Sequence, residues 1–267
     1  LAGSRAVSTW TFAYLTEVHG NHPVLVEFYP TGRRSDAFTY QEMTLGDYLR
    51  RVACDPAARR QFYLADAVLP TVLPDLASDV PVPAAIGPAA SLRPVVFIGH
   101  DTFSATHYHR YRIQAFLTQV LGEKHVTMFD ARDLRCTYPH PWYGLRTNFS
   151  RVPMEFDDPS GNRQLQRYPK LAECPRWECT LRPGEMLFIP DHWMHCTAGP
   201  GDNISVTFFW DEPWRYVHKP GYARDVLAAG SKGAMVGMAR VSRRLGIHRP
   251  LVNAAIDNAN EQILNIL

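Results

Sequence analysis

Between Pro94 and Trp210 the sequence is broken into short runs of branched and aromatic residues. They are Val95-Val96-Phe97-Ile98, Thr106 to Tyr111, His125 to Phe129, Glu178 to Leu181, Met186 to Ile189 and Ile204 to Phe209. Several short β runs at this spacing, separated by turn residues, favour a sandwich or a barrel. A jelly roll is the economical form, because it sets strands distant in sequence beside each other around one cavity. The fold expected is therefore mainly β with flanking helices, a double-stranded β-helix over 94–215.

The flanks read differently. Residues 1–93 are expected to form an N-terminal α/β segment packing on the barrel: a short helix around Trp10 to Val18, then a strand through Val24 to Tyr29 stopped by Pro30. Thr44 is a candidate N-cap for a helix carrying Leu45, Tyr48 and Leu49, with Asp47 supplying an acid to its first turn. The stretch 70–94, rich in Pro and Ala, reads as an irregular surface connection. From about 221 the pattern turns helical, and Gly246 to Pro250 divide two helices of a C-terminal segment, 216–267. The apolar surface of such a helix pair must cover something, either the chain's own barrel or, in a homodimer, a second copy.

With 267 residues, 46% of them hydrophobic, the chain is long enough to bury a sizeable core. A net charge of +2 without a basic block makes nucleic acid an unexpected partner. No run approaches the roughly 18 apolar residues of a membrane span, and no basic segment followed by an apolar one opens the sequence. Cys54, Cys136, Cys174, Cys179 and Cys196 are odd in number and scattered, which fits reduced thiols and a cytoplasmic protein. Cys174 and Cys179 lack a matching second pair for a structural zinc.

The chemistry lies in His107-Tyr108-His109-Arg110-Tyr111 and, far downstream, in the block from Arg182 to His195. Side chains at i, i+2 and i+4 of a strand share one face, so His107, His109 and Tyr111 can point into one cavity. Pro183-Gly184 starts a turn, Met186 to Ile189 forms an apolar strand, and Pro190 to Trp193 ends it just before His195. Neutral imidazoles on rigid strands suit a first-row transition metal with positions left open for substrate. His107, His109 and His195 are the leading ligand set. Arg110 and Arg112 alternate with the inward positions and are expected to face away from the metal.

These motifs, with Tyr63-Leu64-Ala65-Asp66, Gln119-Val120-Leu121-Gly122-Glu123-Lys124, Tyr168-Pro169 and Val206-Thr207-Phe208-Phe209-Trp210, stand in an order that resembles the JmjC and cupin-like (cupin-8 type) oxygenases dependent on Fe(II) and 2-oxoglutarate. That family includes the asparaginyl hydroxylase acting on the hypoxia-inducible factor. The resemblance covers roughly residues 9–210 and implies that His195 is the distal metal ligand and Lys124 the partner of the far carboxylate of 2-oxoglutarate. It leaves two registers for the proximal pair. In one, His107 and His109 occupy the family's His-x-Asp, with His109 replacing the carboxylate. In the other, His109 is the metal-binding His, Thr106 contacts the cosubstrate, and Tyr111 stands where Asp is usual.

Both registers lack the carboxylate. A neutral His in its place removes one negative charge and leaves a more positive centre suited to Fe(II), Cu or Zn. With three histidines as ligands, Tyr111 becomes a pocket hydrogen-bond donor in the catalytic cavity. Ala115 and Phe208 stand where relatives often carry Asn, which thins the polar contacts to the cosubstrate. His192 is placed at the cavity entrance, and Arg146 and Arg151 fall in a 131–176 insertion that reads first as a solvated loop and alternatively as a substrate lid whose arginines pair with an acidic group. The activity expected is oxidation of a C–H bond in a peptide or small metabolite. The alternatives are a three-histidine metal oxidase or dioxygenase independent of 2-oxoglutarate, and a non-catalytic metal- or peptide-binding relative.

Overall fold

The computed structural model describes residues 2–33, 38–87, 91–110, 113–141, 146–152, 166–211 and 225–230. Tyr111, Arg112 and the expected C-terminal helix pair lie outside these residues, as does the dimer contact assigned to that pair.

Among the described residues nine strands form one antiparallel sheet in the order β2-β1-β3-β4-β9-β5-β8, with β6 paired to β7 and β9. The long strands are β4 (Leu92–Phe103) and β9 (Met194–Asp211), paired from Leu92↔Trp210 to Phe103↔Ala198. Along the other edge of β9 two strands run end to end: β5 (Ile113–Leu121) on its second half and β6 (Lys124–Phe129) on its first. β7 (Trp177–Leu181) and β8 (Met186–Ile189) extend that edge in the same way, pairing β6 and β5 respectively. The bend between β5 and β6 falls at Gly122, whose φ is +73° and where a Cβ would meet the Asp202 carbonyl oxygen at 2.3 Å. Only glycine fits there. Strands bent in this way curl the sheet around a central cavity, the jelly roll expected from the spacing of the β runs.

The N-terminal segment joins this sheet by backbone pairing as well as by packing. β1 (Pro23–Phe28) pairs β2 (Thr39–Thr44) and β3 (Phe62–Val68), and β3 pairs β4. Helix α1 (Arg5–Thr9) is followed by α2 (Phe12–His19), whose N-cap is Thr11, and by α3 (Leu45–Cys54), where Thr44 Oγ1 accepts from the Asp47 N–H at 3.1 Å. That cap satisfies one of the donors a helix start leaves free. The stretch 70–94 is more ordered than its composition suggests, holding most of a short helix at Leu69–Val72, a 3-10 turn at Pro74–Asp79 and the start of β4.

The main core lies between these helices and the outer face of β4 and β9, with Trp10, Tyr48, Leu64, Ile98, Val206 and Phe208 fully buried in it. Alternation decides what faces the cavity instead. Phe97 on β4, and Thr207 and Phe209 on β9, line the cavity, whereas Ile98, Val206 and Phe208 point into the core. Phe208 therefore does not occupy a cosubstrate position. No described helix is long and apolar enough to cross a membrane.

Candidate metal centre

The proximal histidines sit in the segment between β4 and β5, which is not the regular strand expected for Thr106 to Tyr111. It is pinned by isolated bridges of His107 to His195 and to Phe149. The His107 N–H donates to the His195 carbonyl at 3.0 Å and the His195 N–H donates back at 2.8 Å. This reciprocal pair fixes the first and last histidines opposite each other. The sequence carried the period-two spacing but not the irregularity, because the segment bonds to the start of β9 and to the chain around Asn148 instead of extending β5.

The three imidazoles converge. One ring nitrogen from each of His107, His109 and His195 lies within 4.8 Å of the other two. Nδ1 of His107 bonds the Ala105 carbonyl at 2.8 Å and Nδ1 of His195 bonds the Trp193 carbonyl at 3.0 Å. These bonds fix Nδ1 as the protonated nitrogen, so Nε2 keeps its lone pair for the centre. His109 has a buried Nδ1 with no hydrogen-bond partner. Its ring meets the edge of Phe209 at 5.0 Å, and His107 stacks on Phe149 at 5.4 Å.

Electrostatics keep all three neutral. Burial pushes His195 down to about 3, and the neighbouring His107 adds to it against the Trp193 bond. Burial followed by the other two histidines holds His109 well below the usual imidazole range, and burial lowers His107 against its bond to Ala105. Neutral imidazoles with free lone pairs are competent metal donors at neutral pH, and the orphaned His109 nitrogen fits the same reading.

The histidines open onto a cavity of about 400 Å³. Lys124, the first residue of β6, reaches it as a buried side chain whose ammonium donates to Ser205 Oγ and lies 6.0 Å from the Phe97 ring centroid. Burial pushes its pKa down to about 7. Arg93, Arg110 and Arg146 also line the cavity, facing the two acids Glu27 and Asp66. Arg110 was expected to point away. It turns inward because its segment is not a strand, and its guanidinium donates to Asn148 Oδ1, while Asn148 Nδ2 donates to the Tyr108 carbonyl at 3.0 Å.

Thr106 is not brought to the cavity. It is buried and absent from the cavity wall, facing the opposite way from its neighbour His107. Ala115 is also buried away from the wall. Arg146 reaches the cavity and Arg151 is exposed.

His192 is not at the entrance. Its φ is +61° and its ring is sealed between two acids, with Nδ1 at 3.1 Å from Asp191 Oδ2 and Nε2 at 3.0 Å from Asp225 Oδ2. Tyr108, between the two proximal histidines, donates its hydroxyl to Asp225 Oδ1 at 3.0 Å, and Gln114 Nε2 donates to Asp191 Oδ1 at 3.2 Å. Burial disfavours the imidazolium, yet the bonds to Asp191 and Asp225 outweigh it and raise the His192 pKa. This network ties the helical residues 225–230 to the segments beside His107, His109 and His195. Sequence inspection missed it, since nothing local marks Asp225 as a partner of residues more than thirty positions away.

Residues 1–216 match the cupin-like domain family, and the chain belongs to it. The zebrafish tRNA wybutosine-synthesizing protein 5 is 28% identical over 225 residues, covering 76% of this chain and 64% of that protein. Lysine-specific demethylase 8 of Xenopus tropicalis is 26% identical over 218 residues, 75% of this chain and 44% of its own. The Drosophila melanogaster Jumonji C domain-containing protein 5 is 28% identical over 212 residues, 74% and 49%. The chain thus spans less than two thirds of the length of these relatives. They place it among JmjC and cupin-like proteins, which bears out the family but not the particular likeness to the asparaginyl hydroxylase.

Proposed function

We propose that this protein is a metal-dependent oxygenase in which His107, His109 and His195 hold a first-row divalent ion, Fe(II) foremost, and in which Lys124 pairs with the distal carboxylate of 2-oxoglutarate. The observation that carries the reading is the convergence of three neutral ring nitrogens within 4.8 Å, two of them with their tautomers fixed by backbone carbonyls. Bound there, the ion supplies oxygen chemistry and 2-oxoglutarate the electrons that accompany it. The protein's part is positioning.

Lys124 offers a cation in a desolvated wall, where a carboxylate ligand stabilises its charged form. Phe149 and Phe209 pack against the imidazoles, holding their orientation and limiting water. Three neutral donors leave both charges of the ion uncompensated, which favours an anionic cosubstrate over a neutral one. The substrate class is a C–H bond in a peptide or small metabolite, reached through the cavity wall that carries Arg93, Arg110 and Arg146. The names of the relatives span tRNA wybutosine synthesis and lysine demethylation, so they narrow the chemistry more than the substrate.

The second reading is a three-histidine oxygenase that needs no 2-oxoglutarate, favoured by a candidate ligand set of three neutral imidazoles with no carboxylate in it. Oxygen uptake and succinate formation by Fe(II)-loaded protein separate the two. Succinate formation lost in both Lys124→Ala and His195→Ala supports the first. Oxygen uptake that persists without 2-oxoglutarate and survives Lys124→Ala assigns the second, and failure to retain one equivalent of metal refutes both.

A further inference from the structure

Strand β3 makes an irregular contact with β4. Leu64 pairs Ile98 and Ala67 pairs Val96, so two residues on one strand stand against one on the other, and the register shifts across Ala65 and Asp66. Asp66 takes φ +52°, one of four described non-glycine residues in the left-handed region. Asp tolerates that conformation better than most residues, yet it still costs free energy that the surroundings must supply. A bulge re-aims a side chain, and this one turns the Asp66 carboxylate into the cavity that the three histidines share.

The carboxylate gains nothing there from the protein itself. It makes no hydrogen bond or ion pair with any described residue, and it borders the cavity. Burial raises the pKa of this carboxyl, and the positive charge of His107 or Arg93 only partly opposes that, so a cation in the cavity is what would hold it ionised. A strained backbone that delivers an unpaired acid to a cavity has no structural return, so its use lies in what the cavity binds.

We infer that Asp66 is the outer-sphere carboxylate of the three-histidine centre, facing the ion from the His107 side and supplying the negative charge that the donor set lacks. The inference rests on the metal reading above. With His109 neutral, an ion at the centre carries two positive charges next to a wall that already holds Lys124 and three arginines. Among the described residues lining this cavity only Glu27 and Asp66 carry opposing charge, and Glu27 is already bonded by the Tyr29 hydroxyl at 2.7 Å. Asp66 would act on a bound ion through its charge, not as one of its ligands.

The test is Co(II) binding to the apoprotein in low salt, followed by absorption and competition with a chelator, without cosubstrate or substrate. Asp66→Asn keeps size and tolerance of positive φ but removes the charge. It should bind Co(II) about tenfold more weakly than wild type, a change of roughly 1.4 kcal/mol. Asp66→Gly also releases the backbone strain, so it should weaken Co(II) binding while melting at or above the wild-type temperature. His195→Ala reports on the metal reading separately. If His195→Ala binds Co(II) as wild type does, the centre itself is misassigned and this inference falls with it. If His195→Ala loses binding while Asp66→Asn stays within twofold of wild type, the centre stands and the role of Asp66 is overturned. If Asp66→Gly melts well below wild type, the acid is holding the bulge for structure and the inference is likewise overturned.

Discussion

Replacing Lys124 with Met should stabilise the apoprotein and abolish its response to 2-oxoglutarate. In the unfolded chain the amine keeps its proton up to 10.5, whereas in the folded protein it releases it near 7. Between those values the unfolded state holds more protons, so stability rises with pH through this window. Below about 7 the full penalty of burying the charge remains. Moving the amine from 10.5 to about 7 corresponds, at roughly 1.4 kcal/mol per pKa unit, to a ceiling of about 5 kcal/mol.

Met fills much of the volume of the lysine stem without a charge. It leaves Ser205 Oγ, fully buried, without the donated hydrogen bond of Lys124, which costs about 1 kcal/mol. The net expectation at pH 7 is a gain of about 2–4 kcal/mol, or roughly 5–10 °C in melting temperature. Thermal melts of wild type and Lys124→Met between pH 6 and 10 measure it as a difference, which cancels every other titrating group. The two curves should converge as pH rises towards 10. In the presence of metal, a saturating excess of 2-oxoglutarate at about a hundred times its Kd should add about 2.7 kcal/mol to wild type and nothing to the variant. A variant that melts below wild type at pH 7, with parallel pH curves, would refute the reasoning.

Two further perturbations probe the frame around the centre. Tyr48→Phe removes the hydroxyl that donates to the Ile98 carbonyl at 2.6 Å and accepts from the Leu64 N–H at 3.1 Å, bridging β3 and β4 beside the bulge of Asp66. Leaving both buried backbone groups unpaired should cost about 2–4 kcal/mol in urea unfolding, and a loss under about 0.5 kcal/mol would show the bridge is replaceable. His192→Ala leaves Asp191 and Asp225 facing each other without their shared imidazole and should cost about 3–5 kcal/mol. Because the folded pKa of His192 is raised, its contribution is complete below about 6.5 and fades as pH rises through the folded value. The stability gap between wild type and His192→Ala should therefore narrow above pH 6.5, and a gap that widens instead would contradict the assignment.

The sequence by itself determined the class of fold and the family to which the chain belongs. Short β runs with period-two patterning and turn residues are local properties, and they suffice to place β6, β7, β8 and the centre of β4, as well as the Thr44 cap of α3. β5 was missed because Ile113 to Leu121 is buried on both faces and carries no clean alternation. The three histidines that converge were legible as candidates from their two-residue spacing and the Pro-bounded strand before His195, taken together with the order of the family's other motifs.

Only the tertiary structure decided how that set is held and what surrounds it. The His107–His195 backbone pair, the inward turn of Arg110, the burial of Thr106 and the sealing of His192 between Asp191 and Asp225 all depend on chain segments brought together from far apart. So does the place of Asp66, since the bulge that aims it exists only in the register between β3 and β4. Register and long-range hydrogen bonding follow from the packing of whole strands, so no local pattern records them.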